Sequence, residues 1–134
     1  MREILDFLKE AGMFYISTVD GDQPTVRPFA FFMEYEGKLY FGTSETRSVY
    51  NHLNANPKFQ MATPLQNTSW MRITGKAYLD ERCEVFEAAV IAQPQTFAKH
   101  KQNPDTNFKP VFYYVEEGEA IIYTLSSQEK RIKF

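Results

Sequence analysis

The stretch GTSETRSVYNHLNANP, residues 42–57, gathers four hydroxyl side chains, Thr43, Ser44, Thr46 and Ser48, with Gly42 and Arg47, between the apolar run KLYF and a helical pattern. Small donors where a strand hands over to a helix serve one of two ends. They cap the helix, with Ser44 or Thr46 as the capping hydroxyl. Alternatively they cradle an anion, because the first N–H groups of a helix are unpaired and carry partial positive charge. Arg47 falls in the first turn, where a cation opposes the helix dipole unless an anion lies nearby. A capped helix with a solvated arginine and a phosphate site both remain open on these residues alone.

A second arginine adds to the question. Arg27 sits in PTVRPF, a strand otherwise made of apolar and small residues. A strand arginine is ordinarily a solvated face residue, but Pro28 beside it has no N–H for a ladder and marks an edge, a bulge or a bend. Such irregularities gather beside functional sites. One hairpin joins this strand to the 42–57 junction, so Arg27 and Arg47 are placed to converge on one anion.

The remaining chemistry-bearing residues have plainer readings. His52 shares a helical side with Leu53 and reads as a satisfied core or interface histidine. His100 lies in the charged run KHK and reads as solvated. Cys83 has no second Cys or His at ligand spacing, so no metal site is predicted. The acids of DERCEVFE suit a helix start, and YVEEGE reads as a hairpin turn rather than a carboxylate pair. No Ser-His-Asp arrangement is legible, and no catalytic acid or base is assigned.

These residues need a scaffold. The chain has 134 residues, enough for one domain, 1–134, with a sizeable core. Twelve Phe, eight Tyr and one Trp exceed what a small core consumes, and suit a subunit interface or a flat ligand. The net charge of −2, without a basic block, argues against nucleic acid. One cysteine excludes an intrachain disulfide framework and points to a reducing cytoplasm. The charged N-terminus MREILDFLKEAG has no secretory apolar core, and no run is long enough for a membrane span.

Periodicity predicts a helix over 2–11 stopped by Gly12, then a strand in MFYISTVD, a turn at DGDQP and a long strand TVRPFAFFMEYE. Phe29, Phe31 and Tyr35 then share one face of that strand, covered on both sides. Gly37 closes a hairpin into KLYFGT. A helix over 46–55 leads to two strands, KFQMATP and SWMRITGKAYLD. Helical pieces over 81–92 and 95–101 flank Pro94, and VFYYVE and EAIIYTLS form a final hairpin around Gly118. The result is mainly antiparallel β with peripheral α, six to seven strands and about three helices, closed as a small barrel.

The segments AGMFYISTVDGDQPTVRPFAF, GKLYFGTSETRSVYNHLNANPKFQMA and WMRITGKA, in this order and spacing, resemble the flavin-binding split-barrel proteins related to pyridoxamine 5'-phosphate oxidase. The likeness covers residues 1 to about 80. It implies FMN bound at a homodimer interface. Arg27, Pro28 and Phe29 then match the strand along the flavin ring and ribityl chain. Gly42 and Thr43 match the strand end beneath it, and Arg47 and Ser48 the phosphate turn. Trp70 matches a further position lining the site, and Tyr123 an aromatic supplied by the partner subunit. The chain departs from true pyridoxamine phosphate oxidases. Its ending SSQEKRIKF has no histidine, and FAFFM is apolar where those enzymes place a substrate lysine.

The resemblance therefore implies an FMN-dependent oxidoreductase of an unidentified small molecule, with NAD(P)H as a candidate electron donor, rather than a vitamin B6 oxidase. The alternatives are a non-enzymatic flavin-binding or electron-carrier protein, a barrel preferring a related deazaflavin, and a structural dimer without cofactor.

Overall fold

In the computed structural model, which describes residues 1–66, 68–126 and 128–134, the elements follow one another as α1 (Arg2–Ala11), β1 (Phe14–Asp20), β2 (Gln23–Phe29), β3 (Phe32–Tyr35), β4 (Lys38–Ser44) and α2 (Ser48–Ala55). The second half continues with β5 (Lys58–Pro64), β6 (Trp70–Leu79), α3 (Cys83–Ala92), α4 (Pro94–Gln102), β7 (Pro110–Tyr123) and β8 (Glu129–Lys133). All strand pairs are antiparallel, in the order β2-β1-β5-β6-β7-β4-β3, with β8 also on β7. The mainly β split barrel with peripheral helices is as the sequence predicts. The described residues form eight strands and four helices, against the expected six to seven and about three.

Alternation sets the core. Phe14, Ile16 and Thr18 of β1, Phe59, Met61 and Thr63 of β5, and Met71 and Ile73 of β6 are buried on one face of the sheet. The ring of Phe41 lies among them, edge-on to Phe29 and Phe59 at 5.7 and 5.6 Å and stacked on Tyr113 at 5.8 Å. Helix α1 adds Ile4, Phe7 and Leu8, and ends where Gly12 takes a left-handed φ of 76° and donates its N–H to the Leu8 carbonyl. Helix α2 adds Val49 and Leu53. A second cluster lies on the other side of β4, where α3 and α4 bring Val85, Ala89 and Phe97 onto Met33, Tyr40 and Phe112. Strand β4 is therefore covered on both faces, and Leu39, Tyr40 and Phe41 are all buried.

Two sequence expectations change. TVRPFAFFMEYE is not one strand. β2 ends at Phe29 and β3 begins at Phe32, so Pro28 lies on an edge strand with the break just beyond it. The break changes the register. Phe29 stays in the main core, while Phe31 turns to the second cluster, 4.9 Å from Phe97. Phe31 and Phe32 are both half-buried, but most of β2 is exposed rather than covered on both faces.

Nor is Gly118 a hairpin turn. β7 continues through it, and Glu117 takes a φ of 53°. Opposite, Thr74 pairs with Glu119 and Lys76 with Glu116, so Gly75 faces two residues, Glu117 and Gly118. This is a β-bulge, which bends the strand and shifts its alternation. Tyr113 and Val115 face the core before it, Ala120 and Ile122 after it. The return strand is β8 instead, and the backbones of Gly118 and Phe134 exchange two hydrogen bonds of 3.0 and 2.9 Å.

A polar cluster fastens α3 to the β3–β4 hairpin. Asp80, 8% exposed at its side chain, accepts from the Tyr40 hydroxyl at 2.8 Å and from Arg82 Nη2 at 2.9 Å, and Arg82 Nη1 donates to Glu36 at 3.1 Å. Arg82 holds the Asp80 carboxyl below the ordinary aspartate value, while burial pushes the Tyr40 phenol up to about 12.

Two outcomes follow. Phe41→Ala should cost about 3–5 kcal/mol in urea unfolding, whereas Ile91→Ala, at a side chain left 82% exposed, should stay within about 0.5 kcal/mol. Asp80 is more acidic folded than unfolded, so its contribution is complete above the ordinary aspartate range and is lost as pH falls through its depressed folded value. Asp80→Asn should therefore lower stability at neutral pH and lose less on acidification than the wild type. Equal acid sensitivity in urea titrations of both forms would remove this assignment.

Candidate functional site

The end of β2, the end of β4 and the start of α2 enclose a cleft of about 490 Å³ lined by Arg27, Pro28, Phe29, Ala30, Gly42, Thr43, Arg47, Ser48 and Val49. Its volume is that of an ordinary small-molecule site, roughly 300–1,000 Å³. Seven of the nine residues singled out in the sequence meet here: Arg27, Pro28, Phe29, Gly42, Thr43, Arg47 and Ser48. They come from three elements that the main core holds together through Phe29, Phe41 and Val49. Among the described residues no carboxylate lines the cleft.

The junction is built differently from a side-chain-capped helix. Arg47, not a hydroxyl residue, occupies the N-cap position of α2, just ahead of the first turn, and no side chain caps the helix. Ser44 is buried and used elsewhere. Its Oγ accepts from the Lys109 N–H at 2.9 Å and the Thr46 N–H at 3.3 Å, and contacts the Thr46 hydroxyl at 2.8 Å. The first N–H groups of α2 thus lack a capping side chain. Among the described residues the guanidinium of Arg47 and the hydroxyls of Thr43 and Ser48 make no hydrogen bond or ion pair.

Arg27 behaves otherwise. Its Nη1 donates to the Ile16 carbonyl at 3.1 Å and the Thr18 hydroxyl at 2.7 Å, and its Nη2 to the Thr25 hydroxyl at 2.5 Å. Nη2 also lies 3.3 Å from His52 Nδ1. Burial alone pulls this guanidinium below its ordinary value. The two arginines share the cleft, but the Nη donors of Arg27 are engaged within the chain and those of Arg47 are not. Thr18, Thr25 and His52 as partners of Arg27 were missed in the sequence. The available signal was Thr18 itself, in phase with the buried Phe14 and Ile16 and so a polar side chain in need of a buried partner.

Gly42 forms the floor. An ideal Cβ there would lie 3.0 Å from Cε1 of Phe112 and 3.2 Å from Cδ2 of Phe31, tighter than ordinary van der Waals contact. Glycine lets the rings of Phe112 and Phe31 pack directly against this end of β4.

Trp70 and Tyr123 lie apart from the cleft. They pair across β6 and β7 and stack with ring centroids 4.3 Å apart and planes 13° from parallel. Arg72 donates to the Tyr123 hydroxyl at 2.7 Å and lies 5.8 and 5.5 Å from the Trp70 and Tyr123 ring centres. Since Met71 and Ile73 face the core, Trp70 and Arg72 face outward. Ladder register puts Pro28, Tyr15, Ala62, Arg72 and Ile121 in one row across this outer face. Tyr15 is 41% and Val26 67% exposed on it. His52 is hydrogen-bonded and half-buried at the edge of the core; His100 is half-buried against Phe108 rather than solvated.

A profile of the pyridoxamine 5'-phosphate oxidase family matches residues 1–124. Among solved structures, a NimC/NimA family protein from Clostridium acetobutylicum is 34% identical over 100% of this chain and 92% of its own, with a TM-score of 0.88. A pyridoxamine 5'-phosphate oxidase-related, FMN-binding protein from Nostoc punctiforme is 12% identical, covering 99% of this chain and 95% of its own, with a TM-score of 0.62. HutZ, a haem storage protein from Vibrio cholerae, is 17% identical over 86% of this chain and 87% of its own, at 0.65. The last two show a shared fold. No curated protein matches the sequence. No helix among the described residues is long and apolar enough to cross a membrane. With the profile spanning residues 1–124 and 34% of the chain identical to a solved relative matched over 92% of its own length, the chain belongs to the pyridoxamine 5'-phosphate oxidase family.

Proposed function

We propose that this protein binds flavin mononucleotide in the Arg27–Val49 cleft and acts as an oxidoreductase on a small molecule. The donor set carries the reading. Among the described residues the guanidinium of Arg47, the hydroxyls of Thr43 and Ser48 and the N–H groups of Ser48 and Val49 have no acceptor of their own, and no acid lines the cleft to compete for them. Such a set fits a phosphate, which accepts bidentately from arginine and from helix-start N–H groups. Pro28, Phe29 and Ala30 supply an apolar wall for a flat ring.

A bound flavin supplies two-electron chemistry at its ring. The chain's part is to bind, orient and shield. Arg47 and Ser48 would hold the phosphate end, and the β2 wall would exclude water from one side. A small-molecule acceptor and a nicotinamide donor are the expected partners, and steady turnover distinguishes this from a flavin carrier. Haem is the poorer fit, because neither histidine lines the cleft. His52 Nδ1 faces the Arg27 guanidinium, and His100 packs on Phe108.

The assembly we propose is a homodimer through the outer sheet face, in which Trp70 and Tyr123 of one subunit approach the flavin of the other. The exposed Tyr15 and Val26 supply its apolar contact.

Arg47→Ala tests the phosphate grip, since a hydrogen bond to a charged group is worth roughly 1.5–3 kcal/mol. FMN affinity should fall by about one to two orders of magnitude, while riboflavin, which lacks the phosphate, keeps its affinity. Equal loss for both ligands would assign Arg47 to the fold, and no loss would leave the junction without a ligand. Light scattering at micromolar concentration should return a dimer, and Val26→Asp should shift it toward monomer. A wild-type monomer would remove the proposed assembly.

A further inference from the structure

The Arg27 cluster does more than satisfy a charge. A guanidinium has donors and no acceptor. With Arg27 Nη2 3.3 Å from His52 Nδ1, that nitrogen must present its lone pair, so the neutral ring carries its proton on Nε2. The other side of the ring agrees. Nε2 lies 3.8 Å from Asp20 Oδ2, a carboxylate that attracts an N–H. The hydroxyl of Thr18, 1% exposed, already accepts from Arg27 Nη1 and lies 3.1 Å from Nδ1, so its proton and the Arg27 N–H share that one lone pair. The His52 side chain is only 10% exposed.

The position of this cluster gives it a consequence. β2 is an edge strand bonded to β1 alone, and its last residues form one wall of the cleft. α2 forms the opposite wall with Ser48 and Val49, and His52 lies one turn further along the same helix. The Arg27–His52 contact is therefore a side-chain strut between the two walls, with Thr18 of β1 beneath it.

We infer that His52 is a positioning residue for the cleft: its Nδ1 holds Arg27 against α2 and so fixes both the spacing of the walls and the direction of a positive charge beside the ligand. This rests on the cleft being the flavin site. Without the acceptor, Arg27 keeps its bonds to Ile16, Thr18 and Thr25 on the β1–β2 side but no longer ties them to α2, and the two walls are free to separate.

The test compares two substitutions and one spectrum. In His52→Asn the amide oxygen replaces Nδ1 as acceptor, whereas His52→Leu fills the space without one. FMN titrations should show His52→Leu about tenfold weaker, and His52→Asn within about threefold of the wild type, with both variants checked for folding by their thermal midpoints. Long-range 1H–15N spectra of the flavin-free wild type should show Nδ1 bare and Nε2 protonated. Wild-type affinity in His52→Leu, a folded His52→Asn as weak as His52→Leu, or a proton on Nδ1 would each overturn the inference. If the wild type binds no FMN, the flavin reading falls, and the tautomer alone decides the strut: a proton on Nε2 upholds it and one on Nδ1 ends it.

Discussion

One edge of β7 has to serve two strands. Its first half bonds to β4, from Pro110 to Tyr114, and its second to β8, from Glu119 to Tyr123. The extra residue at Glu117–Gly118 makes this possible. It bends β7, changes which residues face inward and separates the two pairings. Without the shift, the residues that follow would turn Glu119 and Ile121 toward the core in place of Ala120 and Ile122. β4 owes its position to the first half of this edge. Its far end, Gly42 and Thr43, is the floor on which the cleft stands.

The fold was largely legible because its signals are local. Gly12 and Gly37 end a helix and a hairpin by conformations that glycine adopts without a Cβ penalty. The apolar spacing of α1 and α2 is helical, and that of β1 and β5 alternates. The bulge was not legible as such. Glu116, Glu117 and Gly118 have the composition of a turn, and only the changed phase of the apolar residues on either side distinguishes a bent strand from a hairpin. The break after Phe29 was half legible. Pro28 announced an irregularity, but whether Phe31 joins the first core or the second depends on Phe97 and Phe112, which are remote in sequence.

Much the same division applies to the site. The junction residues lie close together in sequence and meet in one cleft. The partners of Arg27 lie 2, 9 and 25 residues away, and no local pattern joins them. The two arginines look alike in sequence and differ in the fold. One spends its donors on the chain, the other on none of it. That difference separates a residue that shapes a site from one available to a ligand, and it depends on whether acceptors are buried within reach.

Gly42 is a point at which the cleft meets the second cluster. The rings of Phe112 and Phe31 lie against the place where a β-carbon would be, and behind them stand Phe97 and Phe86 of the outer helices. A change of volume in α3 or α4 is passed ring to ring to the cleft floor, without altering any residue that lines the cleft. A chain with the same lining but different outer helices would thus hold a differently shaped site.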